Sequence, residues 1–175
     1  MKTVAILSQK GGTGKTTLAL HLAVAAERRD VPVAVLDLDP QASAADWKDS
    51  RAGDSPSVTS IQSSRLRKAL EVAESAGASL VLIDSAPHSA DAAVAAAEAA
   101  DLILIPCRAG ILDLRAIATT ARIVKITGKP AFVVLNSAPI RAPRGVEARP
   151  ARAQPPAPHQ HRPRPHEPAE SDCAF

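Results

Sequence analysis

Tyrosine is absent from this 175-residue chain, and the other rings are scarce: two Phe and one Trp. The interior must therefore be built from Val, Leu, Ile and the abundant Ala, which suits buried parallel strands covered by helices. Cysteine is as rare. Cys107 and Cys173 lie far apart with no CxxC spacing, which argues against a disulfide framework or a zinc site and fits a reduced cytoplasm. Long apolar runs are missing too. The longest run of low polarity, 92–100, is interrupted by Glu98 and is too short to span a bilayer. The run after Lys2 is too short for a signal peptide. Neither sign of charge dominates: 21 Lys and Arg against 18 Asp and Glu leave +3 and a pI near 9.1, which permits nucleic-acid binding without demanding it. The length is enough for one domain with a real core.

Only eight glycines are present, yet three fall in Gln9-Lys10-Gly11-Gly12-Thr13-Gly14-Lys15-Thr16-Thr17. A short apolar run, 4–7, precedes this stretch and an amphipathic run, 18–29, follows it. Strand, glycine loop and helix in that order make a phosphate site. Successive backbone N–H groups point into the loop, the helix N-terminus adds partial positive charge, and glycines admit the phosphate oxygens without Cβ clashes. Gly11, Gly12, Thr13, Gly14, Lys15, Thr16 and Thr17 are the expected nucleotide contacts. Lys15 would reach the β and γ phosphates, and the Thr16 hydroxyl would ligate Mg²⁺. The general pattern G-x-x-x-x-G-K-[ST] is incomplete, because its first glycine would fall on Gln9. A second lysine, Lys10, stands five residues before Lys15 instead.

Along the chain, strands are expected at 2–8, 31–38, 57–61, 79–84, 101–106 and 131–136. Helices are expected at 16–29, 42–50, 64–75, 88–100 and 112–127, with Leu18, Leu22 and Ala25 or Ala26 on the buried face of the first and Ser64 capping the third. Alternation of this kind predicts an α/β fold, a doubly wound and mainly parallel sheet with helices on both faces. Ligands bind such sheets at the carboxyl ends of strands. The phosphate loop, Asp37 and Asp39, Asp84 and Asn136 all fall there. Asp84, after Leu80-Val81-Leu82-Ile83, occupies the position where a carboxylate holds Mg²⁺ through a bound water.

The loop, with its paired lysines, resembles the deviant Walker A motif of the ParA/MinD family of ATPases. Asp37-Leu38-Asp39-Pro40-Gln41 resembles that family's second motif, and 106–115 and 136–143 look like its later segments. The resemblance covers about residues 1–140 and implies an ATPase with ATP and Mg²⁺ as cofactors. It implies that Lys10 crosses a dimer interface to the partner subunit's phosphates, the alternative being that it serves its own nucleotide. It makes Asp39 the residue that positions the attacking water, while Asp37 helps organise Lys10 and the metal shell; the two acids are expected to divide these roles. It places Asn136 against adenine, whose N6/N7 edge an amide can read. The catalytic set is thus Lys10, Lys15 and Asp39, and the metal set Thr16, Asp37 and Asp84.

The phosphate loop starts so early that the short, plasmid-type ParA proteins are the nearest pattern, without an N-terminal DNA-binding domain. The implied function is segregation of plasmid or chromosomal DNA. An ATP-dependent homodimer would bind DNA non-specifically, and a centromere-binding partner of the ParB kind would trigger hydrolysis. The protein would be cytoplasmic, on the nucleoid when ATP-bound. Arg115, Arg122, Lys125 and Lys129 would lie within about 80° of helical arc and form a basic stripe for DNA phosphates, or merely a solvated face. A MinD-like positioning ATPase would need a C-terminal amphipathic helix for its membrane, and a non-catalytic nucleotide-gated scaffold is the rival from another class. A tyrosine kinase lacks tyrosines here, an iron protein lacks its cysteine pair, and a cobyrinate-type amidation enzyme lacks a visible substrate site.

After Ile140 the composition changes. Residues 141–175 hold Pro143, Pro150, Pro155, Pro156, Pro158, Pro163, Pro165 and Pro168 together with six arginines, and no helix or strand of ordinary length fits between those prolines. This segment is expected to be a disordered tail. Ala, Arg and Pro are residues of GC-rich codons, so a frameshift near Arg144 in a longer gene would produce it and leave a weakened ATPase. A native tail is the alternative, and translating the other two frames separates them.

Overall fold

The computed structural model describes residues 1–53 and 55–138; of residues 111–116 it describes only their place in a helix. The expected tail, 141–175, lies outside the described residues.

Twelve elements follow one another as β1 (Lys2–Ile6), α1 (Lys15–Glu27), β2 (Val33–Asp37), α2 (Ser43–Asp49), β3 (Ser57–Ser60), a 3-10 turn (Ser63–Arg65), α3 (Leu66–Ser75), β4 (Leu80–Asp84), α4 (Ala90–Ala99), β5 (Leu102–Arg108), α5 (Ile111–Thr127) and β6 (Ala131–Asn136). The strands form one parallel sheet in the order β3-β2-β4-β1-β5-β6, a P-loop NTPase-like arrangement. Alternate residues of the central strands feed two cores. Ile6, Val35 and Leu82 pack with Ala19, Leu20 and Ala23 of α1. Ala5, Leu7, Ile83 and Ile103 pack with the alanines of α4 and Ile123 of α5. The chain therefore leaves β1 for one face of the sheet and leaves β4 and β5 for the other. That divergence opens a crevice at the carboxyl end of β1, where α/β sheets bind ligands.

Four local expectations change. On α1 the buried residues are Lys15, Ala19, Leu20 and Ala23, with Leu18, Leu22 and Ala26 at the margin; small side chains face the sheet, letting the helix approach closely. Ser64 caps no helix: it sits inside the 3-10 turn, and Arg65 takes the cap position without a side-chain bond. The helix expected from 88 starts at Ala90, where Ser89 Oγ accepts from Ala92 N at 3.3 Å. Finally, β5 runs through Pro106 to Arg108. Leu7 N donates to Leu104 O, so the polar groups of Leu104, and of Pro106 two residues on, face β1. The β1 ladder has ended at Leu104, so the missing N–H of Pro106 costs no sheet bond.

Candidate nucleotide site

The phosphate loop holds its shape by turning back on one carbonyl. Gly12 and Gly14 take φ of +71° and +91°, conformations that L side chains rarely adopt. The Lys10 carbonyl accepts from Thr13 Oγ1 and from Lys15 Nζ, each at 3.4 Å. Lys10 N in turn donates to Ser8 Oγ at 3.4 Å. Three other elements grip the loop from outside. Thr120 Oγ1, buried on α5, accepts from Gln9 N at 3.4 Å. His88 N, after β4, donates to Gln9 O at 3.3 Å. Asn136 Nδ2, ending β6, donates to Thr13 O at 3.0 Å. α1 then begins at Lys15 with no side chain capping its first-turn amides. Those donors and the positive end of the helix dipole are left for an anion.

Lys15 is 7% exposed. Burial lowers its pKa, while the charges of Asp84 and Asp39 act in the opposite direction. The ammonium is thus buried within the field of Asp84, which ends β4, and of Asp39, just beyond the end of β2.

The acids come from β2 and β4, which pair in register with Asp37 opposite Asp84. Asp37 is 0% exposed, and both its oxygens are engaged: Oδ1 accepts from Asp39 N at 2.9 Å and Oδ2 from Ala44 N at 3.0 Å. Burial raises its pKa and these backbone bonds oppose the rise. It braces the segment that carries Asp39. Residues two apart share a face of a regular strand, so alternation does not separate the two acids. The separation arises because β2 ends at Asp37 and the chain leaves the sheet, making Asp39 half-exposed. Asp39 Oδ1 accepts from Gln41 N at 3.0 Å, and a cleft of about 680 Å³ opens beside it, lined in part by Ser60, Gln62, Pro87 and Ser89.

Asp84 differs from both. It is 1% exposed, and neither carboxylate oxygen has a hydrogen-bond partner. Burial, the largest cause, pushes its pKa up to about 7, with Asp37 and Asp39 adding to the rise. The Thr16 hydroxyl, beside Asp84 without completing a hydrogen bond of ordinary geometry, and the Lys15 ammonium moderate it. A buried carboxylate without partners is costly unless a cation compensates it. The residues therefore fit Mg²⁺, which takes few protein oxygens and completes its shell with water and phosphate. Among the described residues no group of three His, Cys, Asp or Glu could hold a metal by itself.

On the opposite flank, β5 and β6 end in register with Arg108 beside Asn136. The Arg108 guanidinium lies against Gly12, its Nη2 3.9 Å from where a Cβ would stand. A Cβ on Gly14 would run into Asn136 Nδ2. Sequence reasoning did not single out Arg108; its signal was a cation at the carboxyl end of a strand neighbouring β1. Of the basic stripe, Arg122 and Lys125 are exposed on α5. Lys129 follows Gly128, whose φ of +65° ends the helix, so helical arc does not place it. The side chain of Arg115 lies outside the described residues.

A parallel sheet with a glycine loop between its first strand and first helix, and carboxylates at the adjacent strand ends, defines a P-loop nucleotide-binding protein. The family model described as "CobQ/CobB/MinD/ParA nucleotide binding domain" matches residues 4–146, and the chain belongs to that family. It is 36% identical over 137 residues to "Maintenance of carboxysome distribution protein A" of Gloeobacter kilaueensis, covering 77% of this chain and 62% of that protein. It is 33% identical over 117 residues to "Protein ParA" of Rhizobium radiobacter, covering 65% and 51%. The chain thus spans less than two thirds of these relatives' lengths. In fold it is similar to the septum site-determining protein MinD of Pyrococcus horikoshii, solved with Mg-ADP, with a TM-score of 0.64, 18% identity and coverage of 77% and 70%. No helix among the described residues is long and apolar enough to cross a membrane.

Proposed function

We propose that this chain is a partition ATPase of the ParA kind, an ATP-dependent DNA-segregating switch. The observation that carries the reading is the glycine loop between β1 and α1, with Lys15 buried at the uncapped start of the helix and Asp84 buried at the end of the adjacent strand, opposite Ile6. Lys15 and the loop amides of Gly11, Gly12, Thr13, Gly14, Thr16 and Thr17 would bind the ATP phosphates. Thr16 and Asp84 would hold Mg²⁺, which supplies charge neutralisation at the phosphates. Asp39, half-exposed beside its cleft, would position water, with Asp37 bracing its loop. Lys10 would serve the partner subunit's nucleotide in an ATP-dependent homodimer. Arg115, Arg122 and Lys125 would contact DNA phosphates without sequence preference, and a centromere-binding partner would stimulate hydrolysis.

The test is ATP turnover by the purified chain, alone and with non-specific DNA. Asp39→Ala should bind ATP and turn it over poorly; turnover equal to the parent would remove the water-positioning role. Neutralising Arg122 or Lys125 should lower the log–log salt slope of DNA binding by about 0.9 each. Unchanged slopes in both would mean a solvated face only. A second reading is favoured by one finding: the relative at 36% identity is named for carboxysome distribution. There the same ATPase would position a protein cargo, and the partner protein, rather than the DNA response, tells the two apart.

A further inference from the structure

We propose that Asn136 is a positioning residue that sets the phosphate loop from the last strand of the sheet, a role that rests on the loop's being a nucleotide site. Thr13 and Asn136 lie 123 residues apart in sequence, yet Asn136 Nδ2 donates to Thr13 O at 3.0 Å. The second half of the same amide is also committed, because Ser137 N donates to Oδ1 at 2.9 Å. Together these bonds determine the orientation of the side chain. A flipped amide would set an oxygen against the Thr13 carbonyl and an NH₂ against the Ser137 N–H.

The consequence runs through one peptide unit. In a trans peptide the C=O and the following N–H point in opposite directions. Thr13 C=O and Gly14 N–H belong to the same unit. Holding the carbonyl on Asn136 therefore turns the Gly14 N–H away from β6. That N–H immediately precedes the uncapped first turn of α1. Gly14 serves this contact twice. Its φ of +91° needs a glycine, and only the absence of Cβ lets Asn136 Nδ2 come so close. From the other side the Lys10 carbonyl is held by Thr13 Oγ1 and Lys15 Nζ. Both ends of the loop are thus fixed by its carbonyls, which leaves amides for a ligand. One donor hydrogen and one lone pair of Asn136 stay uncommitted, so a contact with a base is compatible with the positioning role but distinct from it.

Inorganic tripolyphosphate separates the two, because it has phosphates and no base. Binding of ATP and of tripolyphosphate to the full chain is measured by calorimetry for the parent, Asn136→Ala and the isosteric Asn136→Asp. Loop positioning predicts that Asn136→Ala weakens both ligands by the same factor, about fivefold. Asn136→Asp should weaken both further, since a carboxylate faces the Thr13 carbonyl. Melting temperatures measured alongside separate this loss from a merely structural one, and Asn136→Asp keeps the packing should the alanine variant fold poorly. Loss for ATP with unchanged tripolyphosphate binding would reduce Asn136 to a base contact and overturn the proposal, as would no change in either. A parent chain that binds neither ligand would overturn the nucleotide reading and this role together.

Discussion

The two flanks of the phosphate loop are made of opposite materials. Toward β4 and β2 stand Asp84 and Asp37, both buried, with Asp39 beyond them. Toward β5 and β6 stand Arg108, exposed, and Asn136, half-buried. On the acid flank Asp84 has no hydrogen-bond partner for either oxygen, so part of that flank waits for a cation. On the amide flank the bonds of Asn136 are already made. The acid side is prepared for what arrives with the ligand; the amide side shapes the loop beforehand.

Lys15 stands between the flanks, and removing it should have the largest effect. Lys15→Ala loses a buried charge opposite the phosphates, and ATP affinity should fall by roughly a hundredfold. Calorimetry reads this directly, and a loss under threefold would mean that neither flank is arranged around that ammonium.

A change confined to the acid flank comes next. With the Asp84 pKa at about 7 instead of 3.8, the folded ligand-free protein keeps a proton that the unfolded chain has released between about pH 4 and 7. Stability therefore falls as pH rises through that window, by at most about 1.4 kcal/mol per pH unit for this group. It levels off above the folded pKa. Asp84→Asn, permanently neutral, should remove this fall, so it should be more stable than the parent at pH 8 and similar to it near pH 4. Urea denaturation at the two pH values checks the sign. Equal curves at pH 8 would mean that the Asp84 carboxylate is solvated or paired in solution.

On the amide flank, Gly14→Ala should cost about 1–3 kcal/mol from the left-handed backbone alone. It should also cost the collision with Asn136. Adding Asn136→Ala should recover the collision and leave the backbone cost, giving a coupling of about 1 kcal/mol in a double-mutant cycle. Strict additivity would show that the two residues do not meet. The smallest effect belongs to Arg108→Ala. An exposed cation beside Gly12 should contribute about twofold to fivefold to ATP affinity, more at low salt, with Arg108→Lys retaining most of it. An affinity independent of salt and of this residue would leave the amide flank with Asn136 alone.

The order of strands and helices was legible because the apolar runs are well separated and each ends in a polar or glycine residue. Asp84 and Asn136 close their strands as expected, and Asp37 ends its strand one residue before the expected Leu38. Departures occurred where a partner distant in sequence decides. The alanine face of α1 is chosen by the sheet beneath it, not by the leucines of the helix. Pro106 is tolerated because β1 has stopped pairing beside it. Lys129 left the stripe because Gly128 turns the chain. Arg108 lies within the 106–115 segment but was given no role there, and its place became visible only when β5 was seen to end with that guanidinium beside Gly12.

The sequence by itself determined the chemistry on offer: a glycine loop with two lysines, acids ending buried strands, and an aliphatic interior suited to a parallel sheet. These are local properties, set by residue type and by spacing along a single strand, turn or helix. Only the tertiary structure decided how they divide the work. It left Asp84 without a hydrogen-bond partner while the backbone occupied Asp37, and it laid the Asn136 amide on the Thr13 carbonyl. The reason is physical. Burial and hydrogen bonding depend on which strands become neighbours, and that is fixed by the order β2-β4-β1-β5-β6, in which segments remote along the chain meet around one loop.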